Sequence, residues 1–352
     1  MKTKKIKNKL INKNFMKIKK FQKELKQRKI DFCILISDDI NFSYFFQEQI
    51  ENSILVIPSK GKPCVFVGPL ENIKTSFKKL KYKNPFKDLK NLCKGTIGIN
   101  ESKITVEQKK RFSKIGRTKD VSDMLVELRK IKTKEEVARI RKACYLTEKI
   151  LKKIVKNFNF KYEKDIKNFI KIESIKNNCE LSFEPIVASE KNARIPHYSG
   201  NKRIKKGFLL LDIGLKYKGY CSDISRTFYV GEPTKNDVEL YKKVLSVQQE
   251  SIRSLKSGLK TKSLEVNARK MFEDKEKYFI HSLGHGLGMD VHEAPSISLK
   301  SKDELKEGMV ITIEPGLYHN QGIRIEDDIL ITKKSHKKLS RFPRELIIIP
   351  KL

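Results

Sequence analysis

The sequence predicts an α+β chain in two domains: a smaller α/β domain over residues 1–120 and a larger one over 134–352, joined by a linker at 121–133. Three observations carry this. The chain has 352 residues, more than the roughly 100–200 of one typical domain. Up to about residue 120, short β-rich runs alternate with helical patterns, as in a small α/β unit. Beyond residue 200, paired apolar strands carrying acidic residues bracket two helical stretches and a histidine cluster.

Taken in order, residues 1–14 read as a basic tail. Phe15, Ile18, Phe21 and Leu25 then recur at three- and four-residue steps, which predicts an amphipathic helix over Phe15 to Arg28. Its other face is almost all lysine, and a solvated face is a simpler reading than a membrane-bound one. Asp31 to Ser37 reads as a strand, and Ser53 to Pro58 with Pro63 to Gly68 as a hairpin turning at Lys60-Gly61-Lys62. Thr96 to Ile99 adds another strand, and nothing up to residue 120 has the spacing of a catalytic motif. Met124 to Phe158 is mostly helical, with Val137, Ile140, Cys144, Ile150, Leu151, Ile154 and Val155 as an apolar stripe. Further helices are expected at about 162–176, 236–257 and 262–274, with Asn236 or Asp237 as a cap and Gly258 at a C′ position.

Composition excludes several classes. No apolar run approaches the ~18 residues of a membrane span, and the lysine-rich start lacks the compact apolar block of a signal peptide, so the expected location is the cytoplasm. The six cysteines, at 33, 64, 93, 144, 179 and 221, form no C-x-x-C pair, which argues for reduced, buried thiols. The net charge of +35 comes mostly from lysine spread along the chain, beside abundant Asn and Ile, as AT-rich codons would produce. Nucleic-acid sites concentrate Arg with aromatics, and no such cluster is present.

The chemistry gathers in the second half. Leu209 to Ile213 is an apolar strand carrying Asp212. Lys216 to Gly219 is a turn, and Asp223 lies on the returning arm. If Asp212 and Asp223 sit opposite each other, their charges repel unless a cation or proton lies between them. His281-Ser-Leu-Gly-His285-Gly-Leu-Gly-Met-Asp-Val-His292 follows. Val310-Ile-Thr-Ile-Glu314 and Gly322-Ile-Arg-Ile-Glu326 then make a second hairpin with two carboxylates. His197 stands upstream in a loop after Pro196. Any one of these residues alone reads as an ordinary solvated or loop side chain. Together, four carboxylates and an imidazole suit two divalent ions, with Mn²⁺, Co²⁺, Fe²⁺ or Zn²⁺ matching hard oxygens and one nitrogen. The glycines at 284, 286 and 288 would let the backbone approach metals and substrate closely.

The order His197, Asp212, Asp223, His285, His292, Glu314, Glu326 resembles the pita-bread metallopeptidases. The strings Leu-Asp-Ile-Gly, Ser-Asp-Ile-Ser-Arg-Thr-Phe, Gly-His-Gly-Leu-Gly, Val-His-Glu, Ile-Glu-Pro-Gly and Gly-Ile-Arg-Ile-Glu-Asp carry the likeness. It is close over about 125 to 352, and looser from Phe15, where the chain resembles the family's accessory N-terminal domain. The resemblance implies two βα halves around a curved antiparallel sheet. It implies that Asp212 chelates one metal, that Asp223 and Glu326 bridge both, and that His285 and Glu314 complete the second site, with Mn²⁺ the first choice of ion. Glu314 would also take the water proton, while His197 and His292 would act on the substrate. Ser225 stands where Thr is more usual, and Arg194-Ile195 replaces smaller residues before Pro196.

All five ligand positions are filled, which argues against the metal-free hydrolases and the binding-only paralogues of that family. The N-terminal domain argues against methionine aminopeptidases, which usually lack one. His281 and Arg324 resemble the proline-specific branch, and the resemblance places His281, Arg324 and Tyr318 at the substrate. The expected activity is therefore an Xaa-Pro aminopeptidase acting on proline-containing peptides, as a homodimer. An Xaa-Pro dipeptidase and a methionine aminopeptidase are the alternatives, and a non-catalytic RNA- or ribosome-binding relative is the alternative of another class.

Overall fold

The computed structural model describes residues 2–48 and 50–350, with the backbone alone for 2–14. The chain divides into two compact units, Met1–Arg129 and Lys130–Leu352. The division falls inside the stretch expected as a linker. That stretch is largely helical, since Ser122–Lys130 forms a helix and only a short break precedes the next one at Lys134. Among the described residues, no helix is long and apolar enough to cross a membrane.

The first unit is a six-stranded mixed sheet in the order Lys78–Lys81, Cys64–Val67, Ser53–Pro58, Phe32–Ile36, Thr96–Ile99, Arg117–Asp120. The expected hairpin forms, pairing Ser53 with Val67 and Val56 with Cys64, and Gly61 takes φ +99° at its tip. The β-branched runs fill the centre of the sheet. Both edge strands are polar and largely exposed, so no apolar run announces them, and their basic side chains discourage pairing with another chain. The first helix, Lys2–Gln27, takes in most of the residues expected as a basic tail. Phe21 and Leu25 are fully buried on one of its faces.

The second unit begins with helix Lys134–Lys156, which follows from its apolar stripe and its cap. Thr133 Oγ1 accepts from Glu136 N, and the Glu136 carboxylate accepts from Thr133 N at 2.6 Å, a reciprocal capping box. Thr133→Ala is expected to cost about 1 kcal/mol, read as a lower urea midpoint for loss of helical circular dichroism. An unchanged midpoint would show that solvent replaces the cap without loss. Helices Glu163–Lys176, Lys235–Arg253 and Thr261–Phe272 follow close to their expected positions. Two details differ. Thr234, not Asn236 or Asp237, caps the third helix, and Asp237 serves as its box partner. Gly258 is not its C′ residue. The helix closes on Ser254 in a right-handed conformation, and Gly258 takes φ +91° in a separate turn.

The strands form a four-stranded sheet (Ile348–Ile349, Ile224–Val230, Gly207–Ile213, Ile186–Ser189) and a five-stranded one (Glu293–Ile297, Gly284–Gly286, Val310–Ile313, Asp327–Ile331, His336–Lys338). Phe208, Tyr229, Tyr241, Val244, Leu264, Phe272, Ile311 and Ile329 join one core beneath the helices Lys235–Arg253 and Thr261–Phe272. Each carboxylate hairpin is two ladders with a break between them. In the first, Gly207–Ile213 pairs with Ile224–Val230, and beyond the break Leu215–Tyr217 pairs with Tyr220–Cys221. The turn is only Lys218-Gly219, at φ 48° and 79°, a two-residue connection that suits the strand twist. In the second, Val310–Ile313 pairs with Asp327–Ile331, and Gly316–Tyr318 with Gly322–Arg324.

Candidate metal centre

The breaks in the two ladders place the acids. Asp212 does not face Asp223. Its cross-strand partner is Ser225, and Asp223 sits two residues earlier, at the break. Ile313 pairs with Asp327, so Glu314 and Glu326 occupy the corresponding break of the second hairpin. A ladder that stops locally frees both side chains of a pair to turn inward. Asp212, Asp223, Glu314, Glu326 and His285 thereby line one cleft of about 1050 Å³.

His285 stands between two glycines for a steric reason. A Cβ on Gly284 would lie 2.1 Å from Thr312 O, and one on Gly286 would lie 2.2 Å from Ala294 O. These two glycines thus admit neighbouring strand backbone and not, as expected from the sequence, metals and substrate. His285 Nδ1 lies 3.0 Å from Gly286 O, which can only accept, so Nδ1 carries the proton and Nε2 carries the lone pair. That lone pair faces Asp223 Oδ2 at 3.6 Å and Glu314 Oε1 at 3.4 Å. An unprotonated nitrogen aimed at two carboxylates is repulsive unless a proton or a cation lies among them. Burial, helped by the neighbouring His292, holds the His285 pKa down at about 4, against a charged imidazolium as that cation.

The oxygens tell the same story. Asp212 Oδ1, Asp223 Oδ1 and Glu326 Oε1 are buried with no hydrogen-bond partner. Two of the sister oxygens are occupied: Arg324 Nη2 donates to Asp212 Oδ2 at 2.6 Å, and Ser225 Oγ donates to Glu326 Oε2 at 2.8 Å. Asp223, His285 and Glu326 offer ligand atoms all within 4.8 Å of one another. Burial, then the mutual charge of the cluster, drives the Asp223 and Glu326 carboxyls well above the usual range. Burial lifts Glu314 to about 8. Orphaned buried carboxylate oxygens beside one imidazole lone pair fit a divalent-metal centre of hard oxygens and one nitrogen.

Behind the acids lies a relay the sequence did not disclose. Arg324 Nη1 donates to Tyr318 Oη at 2.8 Å, and Tyr318 Oη lies 2.9 Å from His281 Nε2. His281 Nδ1 faces Ser282 O at 2.8 Å, so the tyrosine hydroxyl donates to Nε2. Arg324 Nε donates to Ser225 Oγ at 2.8 Å, which closes the link to Glu326. Arg324 and His281 line the cleft, whereas Tyr318 is buried behind its wall. Burial, then the Arg324 charge, pushes His281 down to about 3, so it stays neutral.

His197 and His292 line the open side of the same cleft. The His292 ring meets the His285 ring edge-on, with centroids 4.4 Å apart. Glu293 holds the His292 loop, accepting from Met289 N at 2.9 Å and Asp290 N at 3.2 Å and pairing with the buried Lys132 ammonium at 3.2 Å. The fully buried Glu163 holds the His197 segment, accepting from Ser189 N and Oγ, Asn192 Nδ2 and Lys202 N. Asp328 is a further member of the site that no motif announces. It is fully buried and accepts from Asp223 N at 3.0 Å and from Cys144 Sγ at 3.1 Å. The available signal was the Glu-Asp-Asp run inside an apolar strand, where an acid must have donors waiting.

A profile of metallopeptidase family M24 matches residues 138–333. The Xaa-Pro dipeptidase of Pyrococcus furiosus is 34% identical over 347 residues, covering 94% of this chain and 99% of that protein. The solved prolidase of Pyrococcus horikoshii OT3 superposes with a TM-score of 0.88 at 31% identity, covering 94% of this chain and 100% of its own. The X-Pro aminopeptidase of Thermotoga maritima MSB8 superposes with a TM-score of 0.86 at 26% identity, over 91% and 98%. The match spans both carboxylate hairpins and the histidine between them, and the chain belongs to metallopeptidase family M24, with that family's pita-bread fold.

Proposed function

We propose that this chain is a metal-dependent Xaa-Pro dipeptidase, hydrolysing the bond that joins an N-terminal residue to proline. The observation that carries the metal reading is the His285 lone pair aimed at Asp223 and Glu314 among buried, donorless carboxylate oxygens. Asp212 would hold one ion, Asp223 and Glu326 both, and His285 with Glu314 the second, Mn²⁺ being the first candidate. When bound, such ions lower the pKa of water and polarise a carbonyl. Glu314 accepts the proton of the attacking water. His197 and His292, on the open side of the cleft, bind the substrate amide and stabilise charge as the carbonyl becomes tetrahedral. Arg324 orients Asp212 and, through Tyr318, fixes the His281 ring at the cleft wall.

A bond before proline has no N–H to donate, and its ring fixes φ, so the site must accept a shape and not a hydrogen bond. Neutral His281, with both nitrogens already engaged, presents such a surface. From its sequence alone the chain is expected to be an aminopeptidase first. The relatives named as dipeptidases and prolidases favour the dipeptidase, while the Thermotoga maritima structure keeps the aminopeptidase as a second reading. A peptide panel separates the two. The Mn²⁺-loaded protein is expected to cleave Ala-Pro faster than Ala-Pro-Ala, and Ala-Ala roughly 10- to 200-fold more slowly than Ala-Pro. Faster cleavage of Ala-Pro-Ala would move the chain to the aminopeptidases. Preference for Met-Ala peptides would overturn proline specificity altogether.

A further inference from the structure

A dipeptide ending in proline brings a carboxylate to within one residue of the bond that breaks, and the structure contains a cation suited to it. Lys167 and Arg324 are the only lysine or arginine among the described residues lining the cleft. Arg324 is already engaged. Its Nε donates to Ser225, its Nη1 to Tyr318 and its Nη2 to Asp212, and it is 3% exposed. Lys167 is different. It lies on helix Glu163–Lys176, one turn after Glu163, and is only 8% exposed. Its ammonium makes one long hydrogen bond, 3.4 Å to Gly200 O, and lies 5.9 Å from the centre of the Tyr198 ring. An ammonium offers three donors, and a largely buried one with a single long bond is short of partners. Glu184, the nearby cleft acid, pairs with Lys171 at 2.7 Å.

We infer that Lys167 recognises the free carboxylate of the substrate, and so helps confine the cleft to short peptides. The inference rests on the dipeptidase reading above. A carboxylate completes the donor set of Lys167, whereas a neutral C-terminal amide leaves the buried charge unmatched. The residue thus acts on substrate choice, with the metals and Glu314 left to the bond.

The test compares Ala-Pro with Ala-Pro-amide. Charge-assisted hydrogen bonds set the scale of the preference, and the ratio of kcat/KM is expected to favour Ala-Pro by about 10- to 100-fold. In Lys167→Met that ratio should collapse toward one, and in Lys167→Arg much of it should return. A purely structural role, acting through Gly200 O on the neighbouring His197, would slow both peptides alike and leave the ratio intact, which would overturn the inference. Calorimetry with free proline and prolinamide reads the same contact without turnover. Tighter binding of proline that Lys167→Met abolishes supports the inference even if no Xaa-Pro bond is cut, a result that would refute the dipeptidase reading alone. Equal binding of the two in the unaltered protein refutes the inference while leaving that reading intact.

Discussion

Exhaustive chelation is expected to abolish peptidase activity, and Mn²⁺ or Co²⁺ to restore it in the unaltered protein but not in Asp223→Ala. The reason is electrostatic. Asp212, Asp223, Glu314 and Glu326 converge on one cleft, three of them with a buried oxygen that meets no donor, and the imidazole beside them is held neutral. Such a cluster must either take up protons or bind cations. Asp223 sits at the centre, within ligand reach of both His285 and Glu326, and is proposed to serve both ions. Its loss should therefore remove metal as well as activity, with turnover falling below detection and elemental analysis showing fewer than two ions per chain. Asp223→Asn separates charge from shape, because it keeps the side-chain volume and removes the anion. Full activity in protein shown by elemental analysis to be metal-free would sink the dinuclear proposal.

His197→Ala and His292→Ala are each expected to lower kcat by about 10²–10⁴ while metal content stays near two per chain. Both histidines line the cleft from loops, and neither donates to or accepts from one of the acids. Their loops are anchored elsewhere, by Glu163 for one and Glu293 for the other, so an alanine should leave the ligand cage in place. His292 touches the His285 ring edge-on, which makes it the stricter test. If His292→Ala binds one ion fewer, the residue belongs to the ligand shell and the assignment to the substrate is wrong. A tenfold rise in KM with kcat unchanged would assign it to binding that is equal in the ground and transition states, with no part in stabilising developing charge.

The interior strands of the first unit were readable because each is a β-branched run between turn signals, as Phe32–Ile36 and Ser53–Pro58 are. Its edge strands were not, since Lys78–Lys81 and Arg117–Asp120 bury little and so show no apolar pattern. The helix Lys235–Arg253 was legible to within a few residues, but its cap was misplaced. Thr234, Asn236 and Asp237 can all cap, and only the packed chain chooses among them.

The sequence by itself determined that Asp212, Asp223, His285, Glu314 and Glu326 would share one cleft. An acid at the end or in the middle of an apolar strand, and a histidine between glycines, are local departures from pattern, and a local departure is visible in a string of letters. It could not determine how they meet. That Asp212 faces Ser225 and not Asp223, that Arg324 is spent on Asp212, Tyr318 and Ser225, and that Asp328 stands behind Asp223 all depend on strand register and on contacts between residues about 100 apart in the chain. A shift of one residue in register turns every side chain of a strand to the other face. Backbone pairing and core packing over the whole unit hold that register, so only the tertiary structure decides which donors the acids already have and which oxygens are left for a metal.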